Sequence, residues 1–120
     1  MNPPFLNEDA LRGASVDEIH SALFEQLVTG HAQMALMFLG EIPHPETGRA
    51  GPPSVENAKI FIDQLEMLES RTRGNLNAAE SRVLSQALQV TRGALASVMD
   101  AVLDGEIPSA PSAGEPRQEG

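Results

Sequence analysis

The chain contains no cysteine, no tryptophan and no tyrosine, and its only aromatic residues are four phenylalanines. Without cysteine there can be no disulfide, no thiolate metal site, no iron–sulfur cluster and no thiol nucleophile. The lack of Tyr and Trp also removes the aromatic platforms on which single-stranded nucleic acids stack. Positive charge is scarce: eight Lys and Arg stand against seventeen Asp and Glu, for a formal net charge of −9. A chain of that sign does not adhere broadly to nucleic acid or to anionic membranes. Long apolar runs are missing too. The longest, Met34 to Leu39, falls far short of the roughly 20 apolar residues that span a bilayer. The opening segment Met1 to Asp9 has no basic region followed by an apolar one, so a cytoplasmic protein outside the membrane is expected. Phosphate-binding loops, dinucleotide fingerprints, nucleophile elbows and EF-hand loops are all absent from the sequence.

What remains is helical. At 120 residues the chain has the size of one domain, and apolar residues make up 41% of it, enough for a small core. The expected fold is all-α, with three helices at about 16–39, 55–73 and 78–104. A flexible segment at 1–14 and a disordered tail at 105–120 would flank this single domain. Ser15-Val16-Asp17-Glu18 reads as a capping box opening the first helix. Val16, Ile19, Leu23, Leu27, Met34, Met37 and Phe38 follow at helical spacing and are its expected core face. Gly30 interrupts this stripe at a cost of about 1 kcal/mol relative to Ala, which suits a kink or a close helix crossing. Gly40 follows Leu39 as a natural stop.

The second helix is expected after Pro52-Pro53, with Ser54 as N-cap and Val55, Ala58, Phe61, Ile62, Leu65, Leu68 and Thr72 turned inward. Gly74 would end it with a positive φ at C′. Asn77-Ala78-Ala79-Glu80 reads as a second capping box, opening a helix that buries Val83, Leu84, Ala87, Leu88, Thr91, Leu95, Val98 and Val102. Only Gly74 to Asn77 separates these two helices, so they should form an antiparallel hairpin. The stretch from Gly40 to Pro53 holds four prolines and three glycines and can be neither helix nor central strand.

The first helix carries more apolar surface than a three-helix monomer can bury. Phe24, Val28, Ala32, Ala35 and Leu39 widen its apolar sector to roughly 200°, where about 100° is usual. Ile60 and Met67 lie seven residues apart on the second helix, opposite its core face, and mark an exposed seam. A homo-oligomer, most simply a dimer, is therefore expected.

No catalytic, metal or cofactor constellation emerges. His20 and His31 share a helix face but are roughly 16 Å apart along it, too far for a common metal. His44, between Pro43 and Pro45, has no nucleophile or metal partner at a recognisable spacing. Half of the basic residues cluster between Arg71 and Arg92, as Arg71, Arg73, Arg82 and Arg92, with Glu80 the one acid among them. They read more readily as helix-dipole partners and solvated charge than as a small patch for an acidic protein or RNA. The acidic remainder disfavours nucleic acid. The candidate interaction residues are thus Ile60, Met67, Arg71, Arg73, Asn75 and Arg82. The expected function is a non-enzymatic, self-associating interaction module, with an RNA- or ribosome-associated accessory factor as the alternative.

Several stretches carry a family likeness. Leu39-Gly40-Glu41-Ile42-Pro43-His44-Pro45-Glu46-Thr47-Gly48, then Ala58-Lys59, Ile62-Asp63, Leu65 to Glu69, and Arg71-Thr72-Arg73-Gly74-Asn75-Leu76 with Glu80 resemble a bacterial family known only as domain of unknown function 1844. The resemblance runs from about Phe24 to about Arg92. Arg71 and Arg73 stand where that family usually has Lys, keeping charge while changing hydrogen-bond geometry. Thr91 to Leu95 replaces a Tyr-containing ending. The resemblance implies a small helical protein with no established activity. Its signature also has a fold-making reading: Gly74 and Asn75 shape the turn, Leu76 covers it, Glu80 closes the cap, and Lys59 pairs with Asp63.

Overall fold

A computed structural model describes residues 13–106 of the chain, so the expected flexible segment at 1–14, save its last two residues, and nearly all of the expected tail at 105–120 lie outside the described residues. Three helices follow one another: α1, Val16–Phe38; α2, Val55–Arg71; and α3, Ala78–Leu103. The described residues hold no strand. The expected boundaries hold to within two residues.

Local chemistry sets the helix ends. The Ser15 hydroxyl accepts the Glu18 backbone N–H at 3.1 Å, and the Glu18 carboxylate accepts the Ser15 N–H at 3.0 Å. Asn77 and Glu80 repeat this reciprocal cap at the start of α3, at 2.8 and 2.9 Å. Ser54 occupies the N-cap position of α2 without using its side chain. Its backbone N–H instead donates to the Phe38 carbonyl at 2.6 Å, tying the start of α2 to the end of α1.

Gly40 ends α1 at φ +76°, while the Gly40 and Glu41 N–H groups donate back to Met37 and Leu36, a Schellman closure. A Cβ on Gly40 would also lie 3.0 Å from the Gly51 carbonyl, so the returning loop needs glycine twice over. At the other hairpin, helix α2 stops with Thr72 as its C-cap, one turn position earlier than expected. Gly74, at φ +83°, therefore sits one residue beyond C′, inside a turn closed by the Asn75 N–H on the Thr72 carbonyl at 2.9 Å.

The helices run up, down, up. Phe38 meets Ser54 at one end, and at the other the Asn77 amide donates to the Ser21 hydroxyl at 3.3 Å, so α1 and α3 run parallel with α2 antiparallel to both. Val28, Leu65, Leu84, Ala87 and Leu88 form one buried cluster, covered by Phe24, Ala32, Leu68, Leu76 and Val83. Leu39, Ala58 and Val98 form a second, nearer the Pro-rich loop. Ala35, Ile62 and Thr91 are also buried. The Thr91 hydroxyl donates to the Ala87 carbonyl at 2.7 Å, which removes the cost of an unpaired polar group in the core. The expected inward faces of α2 and α3 are the observed ones.

The inward face of α1 is only partly the expected one: Phe38 packs against the second cluster, and Ile19, Met34 and Met37 are half-buried. Val16, Leu23 and Leu27 were expected in the core and are 67%, 46% and 45% exposed, whereas Val28, Ala35 and Leu39 are buried. Helix α1 carries two apolar stripes, centred about 140° apart on an ideal helix at 100° per residue. The one with the small residues, Val28, Ala32 and Ala35, faces inward. Small side chains let α1 approach both neighbours closely, and the bulkier Leu and Met stripe is left outside.

Candidate functional site

The largest feature unexplained by the fold is the apolar surface that α1 and α2 leave outward. On α1, Leu23, Leu27, Gly30, Met34 and Met37 fall within a sector of roughly 80°. Leu23 and Leu27 are exposed, and Gly30, Met34 and Met37 half-buried. On α2, Ile60 and Met67 are 52% and 48% exposed, as expected from their spacing.

Between the two stripes runs the α1–α2 contact line. Its markers are His31 against Gln64, with Nε2 to Oε1 at 2.7 Å, His31 edge-on to Phe61 at 5.6 Å, and Phe38 stacked on Phe61 at 5.8 Å. The core and α3 lie on one side of this line. The Leu23–Met37 and Ile60–Met67 stripes lie on the other, so they form the two walls of one face. The His31 Nδ1 also contacts the Leu27 carbonyl at 3.0 Å, so His31 is spent on bracing this contact line.

The α1 stripe is a correction to the expected core face, whereas the Ile60–Met67 seam is exposed as its spacing implies. The mid-helix glycine was the available signal. Among the described residues, nothing beyond its own turn of helix lies within 4 Å of where a Cβ on Gly30 would be, so no helix crossing inside the protomer uses it.

The hairpin cations are dispersed. Arg92 donates to the Glu66 carboxylate at 3.0 Å and is committed to tying α3 to α2. Arg71, Arg73 and Arg82 are exposed, with no ion pair among the described residues. Arg71 lies at the end of the outward α2 stripe, in the last turn, where it also complements the helix dipole. Asn75 is exposed and contributes its backbone N–H to the turn, while the side-chain link to a neighbouring helix comes from Asn77. Lys59 and Asp63 pair at 3.2 Å on the α2 surface.

A cleft of about 770 Å³ opens where the Pro-rich loop folds over the end of α1. Met34, Met37 and Phe38 make its floor, and His44, Thr47, Arg49 and Pro52 its rim. It was not foreseen, because residues from 34 to 52 converge only through the loop's return. His44 Nδ1 accepts the Glu46 N–H at 3.2 Å and Arg49 N–H closes onto the Thr47 hydroxyl, so both serve the loop's own turn. No group of three His, Asp or Glu side chains placed to hold a metal occurs among the described residues, and no helix there is long and apolar enough to cross a membrane.

Comparison with curated proteins and with solved structures yields no match to this chain. The model of one family does match, over residues 21–97, the stretch that holds both walls of the apolar face, the Pro-rich loop and the hairpin. The chain therefore belongs to the family described as a domain of unknown function, DUF1844.

Proposed function

We propose that this protein is a non-enzymatic, self-associating interaction module of the cytoplasm, and that the α1–α2 face is the surface through which it assembles. One observation carries the reading: Leu23, Leu27, Ile60 and Met67 are all 45–52% exposed on one side of a single helix pair. Scattered surface leucines need no explanation, but a contiguous apolar face does, because monomers seldom expose one. The face lacks the convergent polar groups that a substrate site needs. Light scattering at micromolar concentration is expected to give about twice the 12.8 kDa chain mass. Ile60→Glu and Met67→Glu should return it to a folded monomer, because each buries an unpaired charge in the assembly. Native protein that stays monomeric at these concentrations overturns the reading.

Arg71, Arg73 and Arg82, without an ion pair among the described residues, support a second reading, an accessory factor docked on RNA or the ribosome. With Arg92 engaged by Glu66, three dispersed cations on a chain of net charge −9 give it less support than the apolar face gives the first. Sedimentation with ribosomes at low salt, lost steeply as salt is added and abolished by reversing the three arginines to Glu, would favour it.

A further inference from the structure

We infer that the partner on the α1–α2 face is a second copy of this chain, laid antiparallel across it about a twofold axis that passes Gly30 of α1 and the Asp63–Gln64 step of α2. This rests on the self-association proposed above and specifies its geometry. A twofold interface is isologous: if residue i meets residue j of the copy, then j meets i. The outer pair of each stripe has a midpoint, and on α1 the inner pair Leu27 and Met34 is centred half a residue from it. Leu23 and Met37 lie seven residues either side of Gly30, and Ile60 and Met67 are equidistant from the step between Asp63 and Gln64. An antiparallel copy thus sets Leu23 against the partner's Met37, and Ile60 against the partner's Met67.

Two helices give two centres, and one axis serves both only if they stand at the same height. They do. His31, the residue after Gly30, touches Gln64 at 2.7 Å, so a single axis perpendicular to the helices passes both centres.

Gly30 supplies the independent sign. It is a helix-interior glycine at the middle of an outward apolar stripe, and, its own turn of helix aside, no atom of the described residues lies within 4 Å of where its Cβ would be. A missing side chain with no use inside the protomer is what a close crossing of two helices requires, here of α1 on its copy. The helix length that overlaps its copy about Gly30, residues 22–38, is about 24 Å, and two helices make the face roughly 20 Å wide, so each copy covers about 480 Å². The pair then buries about 960 Å², the size of a weak, reversible interface. On α1 none of Leu23, Leu27, Gly30, Met34 and Met37 is charged, and on α2 the charges beside the axis, Lys59 and Asp63, neutralise each other as an ion pair at 3.2 Å.

The absence of native cysteine makes the test direct. Leu23 and Met37 of one chain are about 21 Å apart, beyond any disulfide, and so are the two copies of Leu23 about this axis. The Leu23→Cys, Met37→Cys double variant is expected to oxidise to a covalent dimer at micromolar concentration, while each single variant stays uncrosslinked. Crosslinking by the single Leu23→Cys variant would mean a parallel pair and overturn the inference while leaving self-association standing. A dimer by light scattering with no crosslink in the double variant does the same. A monomer with no crosslink overturns both readings. Gly30→Leu provides a second arm, since it meets nothing within the protomer. Its helicity by circular dichroism should be unchanged and the dimer dissociation constant raised about tenfold or more. An unchanged constant would overturn the close crossing at Gly30.

Discussion

At the scale of single residues, most of the specification sits at chain reversals and caps. Gly74 is held at φ +83° with open space around it, so what a side chain would meet there is backbone strain and not collision. Gly74→Val is therefore expected to lower stability by about 1–2 kcal/mol. Asn77→Ala, three residues on, should cost about 0.5–2 kcal/mol as a lost cap, with the bond to Ser21 lost besides. Thermal melts of the two variants check both values. Glu18 responds to acid. The backbone N–H of Ser15, and then its side chain, hold the Glu18 carboxyl below the usual glutamate range. A carboxyl with a lowered folded value stabilises the folded state above the unfolded value and loses that contribution as pH falls through the folded one. Native protein should thus melt above Glu18→Gln at neutral pH, and the two should converge below the ordinary glutamate range. Melts across a pH series read this directly.

At the scale of elements, α1 is the informative case. Residues 55–103 were legible in the sequence down to which side chains turn inward, because α2 and α3 each carry one apolar stripe and a polar remainder. Helix α1 carries two, and periodicity alone cannot rank them. Counting bulk favours Leu23, Leu27 and Met34, yet the packed stripe is the one with Ala32 and Ala35, since its neighbours come close only over small side chains. The distinction is measurable. Ala35 is fully buried, so Ala35→Leu should overpack the core and cost about 1–3 kcal/mol. Leu23→Gln, at concentrations where the chain is monomeric, should stay within about 0.5 kcal/mol of the native protein in denaturant titrations.

At the scale of the whole molecule, the sequence by itself determined that residues 13–106 form three helices, where each begins and where α1 and α3 end to within a residue, and that they carry more apolar surface than one copy buries. These are local properties. Capping boxes, glycine stops and proline exclusion act over a few residues, and an excess of leucine and methionine is a matter of counting. Ile60 and Met67 were legible for the same reason, lying opposite a well-defined core stripe. Tertiary structure alone decided which stripe of α1 faces out, that this stripe and the Ile60–Met67 seam form one face, that Arg92 pairs with Glu66, and that no other described element packs on Gly30. Each of these depends on the rotation and height at which one helix meets another. That setting comes from side chains distant in sequence, such as His31 on Gln64 and Phe38 on Phe61, and no window along the chain contains both partners.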